Sequence, residues 1–416
     1  MIFPRALILP ILILLLSFAC QKSIDSSTVK SGLDNLDEHA ALFAGKRVGI
    51  ITNHTAYDKQ GMHIVDRFAA IEGVTISALF GPEHGIRGSV EAGKKIDSEN
   101  DPLRDVPVYS LYGKTRKPTP EMLENVDILV FDIQDIGARF YTYIYTMSNA
   151  MEAAAEQGKP FVVLDRPNPI NGLTVEGNIL ETQFSTFVGK FPIPVRHGMS
   201  VGELAKMFSE AGWLGDGVKA DLTIIKMSNW QRNQWFDETA LNFINPSPNM
   251  PGLASATVYP GTCLLEGIKI NEGRGTSTPF LIFGAPWTNS DTLADRLSLL
   301  KLSGVQFLPY KYKPISIPGA SANPRYRDEN CNGVQIKITD RDRFESYFTG
   351  IAIVHTLHTL YADSITWHER HFDRLCGTDE IRRAILANRP LSELRTISEK
   401  GLSRFKRERE NFLLYK

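Results

Sequence analysis

The octapeptide Gly81-Pro82-Glu83-His84-Gly85-Ile86-Arg87-Gly88 packs a carboxylate, an imidazole and a guanidinium between small or rigid residues. Its glycines let the backbone turn sharply, and Pro82 fixes one dihedral. The chemistry such a loop offers is proton transfer, with Glu83 as the central acid. His84 beside it can tune that acid or bond a hydroxyl, and Arg87 is a candidate to hold the substrate. The plain alternative is a tight turn whose charges face water.

Similar clusters follow other apolar runs. Asn53-His54 follows Lys46 to Asn53, a strand dense in β-branched residues. Asp132, Gln134, Asp135 and Arg139 surround the end of Val126 to Ile133, and Asp165-Arg166-Pro167-Asn168 follows Phe161 to Leu164. Val74 to Phe80 and Val106 to Leu111 are further strands. Helical spacing marks Met62 to Ala70 and Arg139 to Gln157, and Thr119-Pro120 opens a short helix to Asn125. Throughout-apolar strands alternating with helices indicate a parallel sheet covered on both faces, a doubly wound α/β domain. The carboxyl ends of such strands share one edge, where ligands bind. Asn53, Glu83, Asp132, Gln134, Asp165, Arg166 and Asn168 should therefore meet at a pocket. No GxGxxG follows the first strand, so a dinucleotide is not expected.

Beyond this region, Ser200 with Glu203 makes a capping box, which assigns Glu203 to structure. Ile224 and Ile225 mark another strand. His197, in an extended segment, and Asn249, in the Pro-rich stretch Asn245 to Pro251, are further binding candidates. That stretch reads as the bridge between a domain over 32–244 and a smaller α/β domain over 245–416. The latter opens with Tyr259-Pro-Gly-Thr-Cys263-Leu-Leu-Glu266-Gly267 and Asn271-Glu272-Gly-Arg274, carboxylates again framed by glycines. Strands are expected at Pro279 to Phe283 and Gly333 to Thr339, and helices at Asp291 to Leu302, Gly350 to Tyr361 and within Phe372 to Leu394. His355 and His358 read as helix-packing residues.

The chain has 416 residues, with 46 basic against 47 acidic ones, so no overall field favours nucleic acid. Arg5 precedes an apolar stretch from Ala6 to Phe18, too short for a comfortable membrane span and broken by Pro10. Ser17-Phe18-Ala19-Cys20 resembles a bacterial lipoprotein signal with Cys20 as the lipidated residue, and residues 21–31 form a polar tether. The expected location is outside the cytoplasm, periplasmic or at the outer membrane or cell surface, with membrane contact only through that anchor. Cys263, Cys331 and Cys376 lack metal-type spacing and read as buried free thiols. No HExxH and no GxSxG appear, so neither zinc nor a serine nucleophile is expected.

Several glycine-framed carboxylates without a redox motif point to glycoside hydrolysis, which pairs a proton donor with a second group that stabilises or attacks the sugar cation. Glu83 is the first carboxylate; Glu272, Glu266, Glu176 and Asp132 compete as the second. Tyr141, in Phe140-Tyr-Thr-Tyr-Ile-Tyr145, offers a platform for a sugar ring. Arg139, Arg166, Arg196 and Arg274 together favour an anionic substrate.

The segments GPEHGIRG, FDIQDIGARFYTYIYTM, LDRPNPING, NPSPNMP, YPGTCLLEG and NEGRGT resemble the exo-β-N-acetylmuramidase family NamZ, from about Gly32 to the C-terminus. The resemblance implies a Rossmann-like half followed by a smaller one. It implies release of N-acetylmuramic acid from the non-reducing end of peptidoglycan fragments, muropeptides or disaccharides of N-acetylmuramic acid and N-acetylglucosamine, without cofactor or metal. Glu83 carries over as catalytic acid, and Glu272 with Arg274 through NEGRGT. The lactyl carboxylate of that sugar supplies an anion for the arginines. Other classes compatible with the sequence are a non-catalytic muropeptide-binding lipoprotein and an amidase or deacetylase on the same polymer. The oligomeric state and the stereochemical course stay open.

Overall fold

The computed structural model describes residues 28–88, 99–101 and 104–416; the leader, Cys20 and the tether up to residue 27 lie outside the described residues. The first seven strands are β1 (Arg47–Thr52), β2 (Thr75–Gly81), β3 (Glu99–Asp101), β4 (Val106–Ser110), β5 (Ile128–Asp132), β6 (Phe161–Leu164) and β7 (Leu222–Ile225). They form one sheet in the order β3-β4-β2-β1-β5-β6-β7. All pairs are parallel except the edge pair of β3 with β4. The chain winds outward from β1 through β2 to β4, then returns beside β1 as β5 and winds outward the other way. This is the doubly wound order, with a crevice where the direction reverses.

Strand side chains alternate between two apolar layers, as the period of two requires. Ile51, Phe80, Leu129, Phe131 and Val163 point to one core; Val48, Ile50, Leu79, Val130 and Val162 point to the other. The latter is covered by α1 (Ile64–Ala69). The former packs against α3 (Tyr143–Glu156) and α4 (Val201–Glu210), while α2 (Pro120–Leu123) leads into β5. Thr119 caps α2, with Pro120 opening the helix. Ser200 and Glu203 form the expected capping box on α4.

Helix α3 starts four residues later than its periodicity predicts. The Arg139 N–H donates to the Val195 carbonyl at 2.7 Å, and Ala138 pairs with Arg196. That pairing keeps residues 138–142 out of the helix, so Phe140, Tyr141 and Thr142 become a loop at the sheet edge.

The second half carries α5 (Leu253–Thr262), β8 (Ile282–Ala285), α6 (Ser290–Ser298), β9 (Val305–Tyr312), β10 (Cys331–Ile338) and α7 (Ser346–Tyr361). Three short helices follow: α8 (Glu369–Cys376), α9 (Glu380–Leu386) and α10 (Leu391–Glu399). Gly377, in the left-handed region, stops α8, and Pro390 precedes α10. Strands β8, β10 and β9 make an antiparallel sheet in that order. The core under α3 is continuous with this half through Tyr259, Leu264, Phe283 and Val334. The three cysteines of this half are free and buried.

Two expectations need correction. Tyr259-Pro-Gly-Thr262, read as glycine-framed loop, is the last turn of α5. Packing overrides the poor helix propensity of Pro260 and Gly261, because only glycine permits the close crossing with α7. A Cβ on Gly261 would stand 1.9 Å from the Ser346 carbonyl oxygen, and one on Gly350 2.2 Å from that of Gly261. Pro279 to Leu281 form a turn, with Phe280 at φ 68°, so β8 begins only at Ile282.

The crossing is the packing constraint most sensitive to a single methyl group. Gly261→Ala should lose about 3 kcal/mol of stability by overpacking, read as a lowered urea midpoint at unchanged slope. A midpoint equal to that of the wild type would show that the helices separate freely.

Candidate active site

The loop after β2 is built from left-handed residues. His84, Gly85 and Gly88 have φ of 69°, 72° and 67°. A Cβ on Gly88 would fall 1.9 Å from His54 Nδ1, so glycine lets the imidazole of the β1 loop pack flat against this one. His54 Nε2 in turn bonds the Asn245 carbonyl at 2.7 Å, tying the interdomain bridge to the sheet edge. The result aims Glu83 into a cleft of about 390 Å³. Its Oε2 accepts a hydrogen bond from Thr142 Oγ1 at 2.9 Å. The Tyr112 hydroxyl also bonds Glu83; burial first, then the Glu83 charge, raise that phenol above its ordinary value.

The facing wall comes from the second half. Glu266 lies in the turn after α5, and Arg274 bridges it at 2.7 Å to Glu272 at 2.8 Å. The guanidinium also sits over the Phe280 ring, 5.1 Å from its centroid. His371 Nε2 on α8 approaches Glu266 at 3.5 Å. Asn271 shapes the loop by accepting from the Gly273 N–H and donating to the Arg274 carbonyl, while Gly273 and Gly275 adopt φ of 84° and 81°. Burial alone would raise the Glu266 carboxyl, but Arg274 and then His371 outweigh it and bring it down to about 2. Glu272 goes the other way: burial raises it, Arg274 offsets part of this, and the charge on Glu266 pushes it further up.

Aromatic rings join the two walls. Phe140 and Tyr141 contact Tyr259 at centroid distances of 5.2 and 6.2 Å, and Tyr259 meets Phe280 at 4.7 Å. Tyr112, Phe187 and Arg116 form one rim, and His371 and Arg374 the other. A cleft lined by acids from both lobes together with aromatic rings suits a sugar, whose C–H faces stack while its hydroxyls bond.

Of the residues singled out from the sequence, Glu83, His84, Tyr141, Asn249, Glu266 and Arg274 line this cleft. Glu272 lies behind Arg274, 4% exposed, with one carboxylate oxygen lacking a hydrogen-bond partner. Arg87 is exposed and outside the cleft lining.

The remaining candidates hold the scaffold together, which corrects the expectation that they read substrate. Arg139 is fully buried and donates to the carbonyls of Asn178, Ile193 and Leu375, a strut between the two halves. Arg196 is buried against Glu176 at 2.8 Å, and Glu176 accepts from the Tyr347 N–H. Arg166 pairs with Asp132 beneath the sheet edge. Asp165 accepts from Ser200, from the Gly202 N–H and from the Tyr415 hydroxyl, fixing the C-terminal tail; burial raises its carboxyl to about 6. Gln134 donates to the carbonyls of Asp135 and Pro167, Asn168 to that of Met199, and Asn53 Oδ1 accepts within its own loop from Thr55. His197, 3.8 Å from Asp135, is pushed down to about 3 by burial and is neutral. Sequence reasoning missed Tyr112, Arg116, Thr142, Tyr259, His371 and Arg374. The first two were within reach, since β4 ends on the same edge.

A larger cavity of about 710 Å³ lies between α4 and the last helix, α11 (Leu402–Arg409). It is lined mainly by apolar residues such as Ile179, Trp213 and Phe405. Its rim charges are spent on each other, Lys400 on Glu380 and Arg404 on Glu408. Glu181, its remaining acid, accepts from Gln183, and the smaller cleft, which Glu83 and Glu266 both line, is the candidate site.

Fold and cleft together define a doubly wound α/β protein whose carboxyl edge is completed by a second lobe into an acid-walled sugar cleft. Two family models match the chain: "Exo-beta-N-acetylmuramidase NamZ, N-terminal" over residues 48–254 and its C-terminal counterpart over 257–415. The chain belongs to the NamZ exo-β-N-acetylmuramidase family. It is 46% identical over 389 residues to the peptidoglycan beta-N-acetylmuramidase NamZ of Bacillus subtilis (strain 168), covering 93% of this chain and 91% of that one. Crystal structures of two DUF1343 family proteins from Bacteroides fragilis NCTC 9343 superpose with TM-scores of 0.86 and 0.76, at 38% and 31% identity. Both alignments cover 94% of this chain and 99% of the other.

The Glu266–Arg274–Glu272 triad yields a pH-dependent prediction. Arg274→Met leaves two carboxylates without their cation and should cost about 3–5 kcal/mol near neutral pH. Because the Glu266 carboxyl is held below its ordinary value of 4.5, the stabilisation is full above that pH and fades as pH falls toward about 2. Denaturant titrations should show the gap between wild type and variant closing over that window; a gap independent of pH would refute the ionic account.

Proposed function

We propose that this protein is an exo-acting β-N-acetylmuramidase that releases N-acetylmuramic acid from the non-reducing end of peptidoglycan fragments. The observation that carries the reading is that Glu83 from the first lobe and Glu266 from the second line one cleft with aromatic rings. Family membership supports the same substrate class.

The two carboxylates live in different surroundings, and this sets their roles. Glu83 receives hydroxyl hydrogen bonds from Thr142 and Tyr112, which hold its carboxyl group in place on the cleft wall. It serves as the general acid. Glu266, ionised beside Arg274, faces the developing charge on the anomeric carbon and stabilises it. Glu272 holds Arg274 from behind. His84, buried beside Glu83 in a left-handed conformation, lines the cleft and fixes the loop. Substrates are muropeptides or disaccharides of N-acetylmuramic acid and N-acetylglucosamine.

The same proposal includes export. The Arg5-led apolar leader delivers the chain across the membrane, and Cys20 receives the lipid that holds it in the periplasm or at the cell surface.

Glu83→Gln should lower kcat roughly 10²–10⁴-fold on 4-nitrophenyl N-acetyl-β-muramide, with the protein still folded by circular dichroism. Retention of wild-type kcat would remove Glu83 as the acid. Cys20→Ser should abolish incorporation of labelled fatty acid and move the protein from the membrane to the soluble fraction; an unchanged partition would defeat the anchor.

A further inference from the structure

The arginines of this protein fall into two groups once the cleft is in view. Those beside the strand ends are spent: Arg139 on backbone carbonyls, Arg166 on Asp132, Arg196 on Glu176. Arg274 reaches the cleft but already holds two glutamates. Arg116 and Arg374 are different. Both line the cleft, both are exposed, and among the described residues neither forms an ion pair.

Their positions are complementary. Arg116 lies with its guanidinium carbon 4.4 Å from the centroid of the Phe187 ring, a stacking that orients the planar fork while leaving its N–H edge open. It stands close enough to Tyr112 to counter the rise of that phenol, and Tyr112 bonds Glu83. Arg116 therefore belongs to the Glu83 wall. Arg374 sits three residues beyond His371 on α8, the same helical face, and His371 approaches Glu266. Arg374 therefore belongs to the Glu266 wall. Leu375, its neighbour, gives its carbonyl to Arg139, so the buried strut fixes the turn of helix that carries Arg374.

Unpaired cations at both rims of an otherwise acid-walled cleft call for an anionic group on the ligand. The cleft walls carry Glu83 and Glu266, which would repel such a group from the reacting centre and steer it to the rim. An anion there gains charge-assisted hydrogen bonds from forks that owe nothing to other acids.

Resting on the muramidase reading above, we propose that Arg116 and Arg374 read the free lactyl carboxylate of the sugar and set the preference for N-acetylmuramic acid over its neutral counterpart. The arginines at the strand ends take no part in this choice.

The test compares three 4-nitrophenyl β-glycosides: N-acetylmuramide, its lactyl methyl ester, and N-acetylglucosaminide. Wild type and the double variant Arg116→Gln/Arg374→Gln are assayed on each, with both single variants and Arg374→Lys alongside. For the free acid the double variant should raise KM roughly 10–100-fold with kcat within a few-fold. For the ester and the glucosaminide it should change neither, and Arg374→Lys should restore part of the loss. An unaltered KM for the free acid overturns the proposal. Equal weakening on acid and ester also overturns it, since shape rather than charge would then be read. A wild type inactive on the muramide but folded would instead sink the muramidase reading itself, and this inference with it.

Discussion

One guanidinium between two glutamates makes the second wall of the cleft possible. Glu266 and Glu272 approach within reach of a single Arg274, in a region where unbalanced carboxylates would be driven to protonate. The cation splits their behaviour. Glu266, open to the cleft and approached by His371, stays ionised; Glu272, enclosed behind, is pushed toward its neutral form. The loop that brings them together needs Asn271 to satisfy its backbone and two left-handed glycines to turn it. Without the triad the second lobe would offer the cleft no carboxylate.

The first wall has a different origin. Glu83 owes its position to a strand end, and the hydroxyls of Thr142 and Tyr112 bond it. Thr142 reaches it because Arg139 pairs with Val195 and delays the start of α3. Tyr112 reaches it because β4 ends beside β2, with the Leu111 N–H donating to the Gly81 carbonyl. The same Arg139 ties α8 to the first lobe through Leu375. Arg139 thus links the segments that carry both walls through backbone carbonyls.

Fold class was legible in the sequence because apolar periodicity is a local property. β1, β2, β5 and β6 fall within a residue or two of where β-branched runs place them, and the caps at Thr119 and Ser200 follow from short-range rules. Glu83, Glu266 and Arg274 were legible because glycine framing marks loops that must present a side chain. The roles of Arg139, Arg166 and Arg196 were not. A parallel sheet gathers polar residues at its carboxyl edge for two reasons, binding a ligand and satisfying loop backbone, and the residue types serving both are the same. Only burial separates them: Arg139 and Arg196 are 0% and 1% exposed. Helix α5 was hidden for another reason, since Pro260 and Gly261 break local rules for the sake of a contact with α7, about ninety residues away in the chain.

The contrast between the two walls bears on how the acids divide the work. A carboxylate salt-bridged to arginine is held in its charged form, which makes Glu266 the less suitable proton donor of the two. Exchanging the roles would require Glu266 to be protonated in the presence of Arg274 and His371, against their combined field. On the proposed reading the arrangement has a direction: proton donation from the Rossmann-like lobe, charge stabilisation from the second. A cleft assembled from two lobes gains this asymmetry readily, because each acid takes its surroundings from a separate part of the core.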